Sequence, residues 1–176
     1  MDKETKRRLA ESVRDFRLPR YIEIPTVGLY LDQTTKYING YLAPFGFMEI
    51  TPSMVSNYVK KGLIPAPVRR QYFQEQICYL FFVALAKNLV AIEDIGLLID
   101  LQKNSYTLPV AYDYFCDEVE NIIGYVFGLK DTMDELGVTH SDEKDLLRSL
   151  AFSAVQVIHM QAYFTEVRRQ KGEQNT

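Results

Sequence analysis

The stretch from Thr51 to Gly62 carries small polar and basic side chains of the types that contact DNA. Four of them lie three or four residues apart and would share one face of a helix: Ser53, Ser56, Asn57 and Lys60. Small hydroxyl side chains allow close approach to base edges, an asparagine amide can pair with adenine, and a lysine can meet phosphate or guanine. Val55 and Val59 would form the apolar face. Spacing alone fits a plain solvent-exposed helix equally well, so both interpretations stay open.

The segment after this helix adds basic candidates. Pro65 and Pro67 prevent a regular helix, and the pair Arg69 and Arg70 lies beside Tyr72, where arginines could hold phosphates. The complete set of candidate DNA-binding residues is Ser53, Ser56, Asn57, Tyr58, Lys60, Lys61, Arg69, Arg70 and Tyr72.

The order of residues in Thr51–Pro65, TPSMVSNYVKKGLIP, resembles the recognition helix and exit of MerR-type winged helix-turn-helix proteins. Residues 72–82 and 90–99 resemble the two helices that follow the wing in that family. The resemblance implies DNA binding by a homodimer. The Arg-Tyr pair of the family is Ser56-Asn57 here, and the connection is too short for a full wing with its usual Asn-Gly turn.

A wider stretch, about 15–110, is similar to domain-of-unknown-function family 1836, a group of small bacterial proteins. The residues that carry this similarity are Leu18–Tyr21, Tyr30–Gln33 and Ile50–Lys60. The resemblance implies a cytoplasmic protein with a regulatory role, and it implies no known ligand or activity.

The hydrophobic pattern predicts a mainly all-α fold. Helices are expected at about 3–16, 32–42, 52–61, 74–88, from 92 onward, 109–129 and 141–170. The last of these is apolar on more than one face, so it must be covered, either centrally in the domain or by another subunit. With these helices, the MerR resemblance implies a MerR-like winged helix-turn-helix with a short or degenerate wing and a C-terminal helical region for dimerisation or effector binding.

The charge of −3 over 176 residues is unevenly distributed. Residues 1–20 carry +3, residues 21–50 carry −2, residues 51–103 carry +2 and residues 104–176 carry −6. Because the acidic C-terminal part would repel a polyanion, any contact with DNA belongs to the first 103 residues. We therefore expect a basic N-terminal arm or helix (1–20) that helps to hold the DNA backbone, a DNA-binding domain (21–103) and a helical C-terminal region (104–176).

The remaining side chains give little support for catalysis. The sequence lacks a glycine-rich phosphate loop and the common hydrolase and metalloprotease motifs, so we expect no enzyme, no metal and no cofactor. Two cysteines are too few for a disulfide framework. The longest apolar run, 80–86, is too short to span a bilayer, so we expect a cytoplasmic protein without a membrane contact.

Six aromatic residues concentrate in the C-terminal half: Tyr106, Tyr112, Tyr114, Phe115, Tyr125 and Phe127. They could be ordinary core and dimer packing, or they could line a pocket for a small apolar effector. The overall prediction is a transcriptional regulator that binds a near-palindromic operator as a homodimer. The alternative is a protein-interaction module that retains the helix-turn-helix fold without specific DNA binding.

Overall fold

The computed structural model describes residues 2–137 and 141–173. Within these ranges the chain is mainly helical, as predicted. The helices are α1 (Lys3–Ser12), α2 (Leu31–Leu42), α3 (Pro52–Lys60), α4 (Gln74–Ala86), α5 (Ile92–Ser105), α6 (Leu108–Val126) and α7 (Asp142–Glu173). Strands β1 (Leu29–Tyr30) and β2 (Gln71–Tyr72) pair antiparallel, and two 3-10 helices span Tyr21–Glu23 and Ala43–Met48. None of the helices in the described ranges is long and apolar enough to cross a membrane.

Helices α4 and α7 organise the core. Helix α4 is buried over almost all of its circumference and contacts α2, α5, α6 and α7. The middle of α7 is buried too, with Ala154, Val155 and Ile158 each at most 1% exposed. Burying an isoleucine or valine side chain fully contributes about 1.5–3 kcal/mol. The prediction that the last helix must be covered is thus confirmed, and the cover comes from α1, α4, α5 and α6 of the same chain.

The N-terminal segment is packed on the C-terminal helices. The Asp2 carboxylate caps α1 by accepting from the Thr5 backbone N–H at 2.8 Å. The α1–α7 contact includes an ion pair between Arg8 and Glu166, 3.3 Å apart. Four bases of the expected basic arm are paired with carboxylates of the chain: Arg7, Arg8, Arg17 and Arg20. Arg8 and Arg20 pair with carboxylates far along the chain and so connect parts of the fold, whereas the Arg7 and Arg17 pairs are local and exposed and contribute little.

Arg20 links this segment to α6. Its guanidinium donates to Glu120 at 2.7 Å and to Asp117 at 2.7 Å, and the same Glu120 carboxylate accepts from the Leu18 N–H at 2.9 Å. The Tyr21 N–H donates to Asp113 at 2.7 Å. The stretch that leads into β1 is therefore fixed to α6.

Candidate nucleic-acid interface

Helix α3 has sharply defined ends. The Thr51 hydroxyl accepts from the Met54 N–H at 3.2 Å, and Pro52 occupies the first helical position, as the sequence predicts. At the other end Gly62 adopts a φ of 71°. Its N–H donates to the Val59 carbonyl at 3.0 Å, while the next N–H, that of Leu63, donates to the Tyr58 carbonyl at 2.9 Å. This pair of bonds is the glycine-terminated Schellman ending, and it stops α3 before the proline-rich connection.

The two faces of α3 differ as the spacing predicts. Val55 and Tyr58 point into the core, at 0% and 5% exposed. The four predicted contact residues are exposed: Ser53, Ser56, Asn57 and Lys60. The Ser56 hydroxyl donates to the Pro52 carbonyl at 2.9 Å, so its oxygen remains able to accept a further hydrogen bond.

The long turn before α3 is ordered by three buried apolar side chains and by hydrogen bonds from one asparagine. Phe45, Met48 and Ile50 of this turn are buried. The Asn39 amide donates to the Ile50 carbonyl at 2.8 Å, and its oxygen accepts from the Ile50 N–H at 2.9 Å. Asn39 therefore fixes the backbone immediately before Thr51, which sets where α3 begins relative to α2.

We expect the Asn39→Ala substitution to lower the free energy of unfolding by about 2 kcal/mol, because both backbone groups of Ile50 would lose their partner. Chemical denaturation of the two proteins measures this difference. Asn88→Ala is the matched control, since its bond to the Phe47 carbonyl is long, at 3.5 Å, and exposed. Equal losses for the two variants would contradict the positioning role of Asn39.

The connection after α3 ends in a two-residue hairpin turn. Val68 and Gln71 exchange both backbone hydrogen bonds, at 3.0 and 2.9 Å. Between them Arg69 and Arg70 have φ angles of 51° and 65°. Two consecutive positive φ angles define a type I′ turn, which strongly favours Asn-Gly. In the described part of the chain, these two arginines are the only residues other than glycine with positive φ.

The arginine turn, Val68–Gln71, is fixed by hydrogen bonds from Gln76 and by a close backbone approach at Gly28. Buried Gln76 donates to the Ala66 carbonyl at 3.2 Å and accepts from the Phe73 N–H at 2.9 Å, so one side chain fastens both ends of the hairpin. Gly28 lies beneath it, where a Cβ atom would fall 2.6 Å from the Cβ of Gln71. Helix α2 contacts both α3 and the two strands. A single helix thus supports both parts of the candidate interface.

The segment that contains the candidate residues carries charge of one sign. Residues 51–74 contain four bases and no carboxylate. Arg69 and Arg70 are exposed at the tip, and Lys60 is exposed on α3. Lys61 lies 3.7 Å from Glu93 of α5, an exposed contact that solvent screens strongly. A local excess of positive charge suits a polyanion.

Tyr58 and Tyr72 lie elsewhere than expected. Both were predicted to contact DNA, but their side chains are core residues at 5% and 4% exposed. Tyr58 shares the inner face of α3 with Val55, and Tyr72 pairs across the sheet with Leu29. Burial raises the pKa of both phenols. Their placement gives them a packing role, while the other seven candidate residues are exposed.

The model of a family described as a domain of unknown function (DUF1836) matches residues 19–115. The chain belongs to this family. The DUF1836 segment contains all nine candidate residues and ends within α6, so α7 lies outside it. No curated protein and no solved structure matches the chain. Over the residues that the structure describes, this DUF1836 protein brings together no group of three His, Cys, Asp or Glu side chains that could hold a metal ion.

Proposed function

We propose that the protein is a DNA-binding transcriptional regulator. In this proposal α2 and α3 form a MerR-like helix-turn-helix, and the strands with the arginine turn form a reduced wing. The observation that carries it is the pair of exposed arginines held at positive φ in a segment without carboxylates. Strained backbone of this kind tends to occur at functional sites, where the strain fixes the direction of a side chain.

The residues divide by the type of contact they would make. Asn57 on α3 would read a base edge, with Ser53 and Ser56 allowing close approach. Lys60, Arg69 and Arg70 would meet phosphates and set the orientation of the duplex, without reading sequence.

A symmetric homodimer would present two copies of α3 to a near-palindromic operator. A dimer needs apolar surface that the chain leaves uncovered. Met160 and Phe164 lie one turn apart on α7 and are 45% and 41% exposed, and Leu97 and Leu101 repeat this spacing on α5. These pairs support self-association through the helical C-terminal half.

The experiment is a salt titration of binding to mixed genomic fragments, followed by sequencing of the retained DNA. We expect enrichment of a short inverted repeat. Asn57→Ala should weaken binding to that repeat by about tenfold and leave binding to random duplex unchanged. Arg70→Ala should weaken both, and it should reduce the slope of log K against log salt by about 1. Arg168→Ala, which removes an exposed base from α7, is the charge-matched control.

Retention that does not vary with salt, or no retention at low salt, would defeat the proposal. The second candidate, a protein-interaction module, would then take its place. It is favoured by exposed apolar side chains on the same surface, since Val68 in the hairpin is 57% exposed and Met54 on α3 is 37% exposed. Its test is loss of a co-purifying protein in the Val68→Ser variant.

A further inference from the structure

An apolar cavity of about 170 Å³ lies between α4, α5, α6 and the beginning of α7. Its inner wall is formed by fully covered side chains, among them Cys78, Tyr112 and Phe115, which are 1%, 3% and 4% exposed. Its mouth is bordered by exposed apolar residues, among them Val110 and Leu146. A cavity of this form can enclose most of a small ligand.

Four of the six predicted aromatic residues line this cavity: Tyr106, Tyr112, Tyr114 and Phe115. The other two do not line it. Phe127 instead packs edge-on against His159, with the ring centroids 4.9 Å apart, and Tyr125 is 41% exposed on α6. The aromatic cluster therefore divides into a group around the cavity and a group used for packing or surface.

Most polar groups in the cavity wall already have partners. The Tyr114 hydroxyl donates to Glu118 at 2.8 Å, and the Gln102 amide donates to the Tyr106 carbonyl at 2.8 Å. The Lys144 ammonium lies over the rings of Tyr106 and Tyr114, 5.7 and 5.3 Å from their centroids. Burying a charged ligand against this mostly apolar wall would cost desolvation energy, so the wall favours a neutral ligand.

The Tyr112 hydroxyl is different. It is buried and makes no hydrogen bond to nitrogen or oxygen within the described ranges, where only the Cys116 thiol, a weak partner, lies beside it. A buried hydroxyl without a strong partner is costly. Among the buried polar side-chain atoms without a partner in those ranges, this is the one that belongs to a residue lining the cavity. A ligand that brings one hydrogen-bonding group to the inner wall would supply a stronger partner than the thiol.

We propose that this cavity binds a small neutral aromatic molecule with one hydrogen-bonding group, of the phenol or indole class. Its size fits, because an apolar cavity of about 150 Å³ is known to hold benzene. The aromatic side chains of the wall offer edge and face contacts to the ring. The site lies apart from α3 and the arginine turn, so the proposal does not depend on DNA binding.

The test is calorimetric titration of the full chain with indole and with toluene. We expect both to bind saturably, with dissociation constants below about 1 mM. Tyr112→Phe keeps the shape of the wall and removes the hydroxyl. It should weaken indole binding by about two- to tenfold and leave toluene binding unchanged.

Substitutions that fill the cavity test whether the probes bind there. Ala111→Leu places extra carbon atoms in the cavity and should abolish binding of both probes, while Ala10→Leu in α1 is the matched control. Leu98→Phe is a second filling variant in case the first does not fold, and circular dichroism checks both. Absence of saturable binding, or binding that survives both filling variants, would overturn the proposal. Equal indole affinity in Tyr112→Phe would overturn the polar contact.

Discussion

Replacing Arg69 by Asn and Arg70 by Gly should stabilise the protein by about 1–2 kcal/mol and weaken the proposed binding to DNA by about a hundredfold. The gain in stability is expected because both positions have positive φ, which Asn and Gly adopt at little cost and arginine does not. The loss in affinity is expected because the substitutions remove the two charge-assisted phosphate contacts that the proposal assigns to these arginines.

Thermal unfolding and a binding titration at several salt concentrations measure the two effects. The slope of log K against log salt should fall by about 2 in the double variant. Arg69→Lys with Arg70→Lys is the control, because it keeps both charges and the strained backbone. That control should retain most of the salt-dependent affinity and none of the added stability. A less stable Asn-Gly variant would refute the assignment of a strained turn, and unchanged DNA affinity would refute its role in binding.

The second large effect is expected at the α6–α7 contact. Glu118 is completely buried, accepts from the Tyr114 hydroxyl at 2.8 Å and lies 3.4 Å from the Arg148 side chain. Arg148→Met would leave this carboxylate buried without a counter-charge. We expect the free energy of unfolding to fall by about 3 kcal/mol, because the buried Glu118 charge would then have lost its partner.

Denaturant unfolding of a double-mutant cycle separates this effect from lost packing. Adding Glu118→Gln to Arg148→Met removes the stranded charge and should restore about half of the lost stability. Arg148→Lys is the conservative comparison and should cost less than Arg148→Met. If the two substitutions are simply additive, the pair does not interact and Arg148 acts through its bond to the Asp134 carbonyl, 3.0 Å away.

Helices with clear start and stop residues in the sequence are predicted closely. Thr51, Pro52 and Gly62 define α3, and the structure places its ends within one or two residues of the prediction. Helix α2 is expected to start near Asp32 and starts at Leu31. Its first turn is closed by the Gln33 side chain, which accepts from the Tyr30 N–H at 2.9 Å. Such short-range patterns need only a few neighbouring residues.

Features that depend on distant contacts were not predictable. The hairpin turn contains none of the residues that favour positive φ, and it forms because Gln76 and the close approach at Gly28 hold it from outside. Helix α1 was expected to reach residue 16 but ends at Ser12. The burial of Tyr72 follows from its pairing with Leu29, more than forty residues earlier. The candidate surface was thus predictable on α3, and its support was not.

Asn39 precedes Gly40, and this dipeptide is the one whose side-chain amide is lost most readily from an unfolded chain. The glycine nitrogen attacks the amide carbon, ammonia leaves, and hydrolysis of the ring produces a carboxylate. In α2 the helical backbone and the two bonds to Ile50 hold the reacting groups in place. The native state therefore protects its own covalent structure. Opening of the ring gives either aspartate or isoaspartate. The aspartate form would refold with a carboxylate oxygen facing the Ile50 carbonyl, two acceptors without a proton between them, and the isoaspartate form would lengthen the backbone of α2. Residue 39 therefore keeps a chemical record of time spent unfolded.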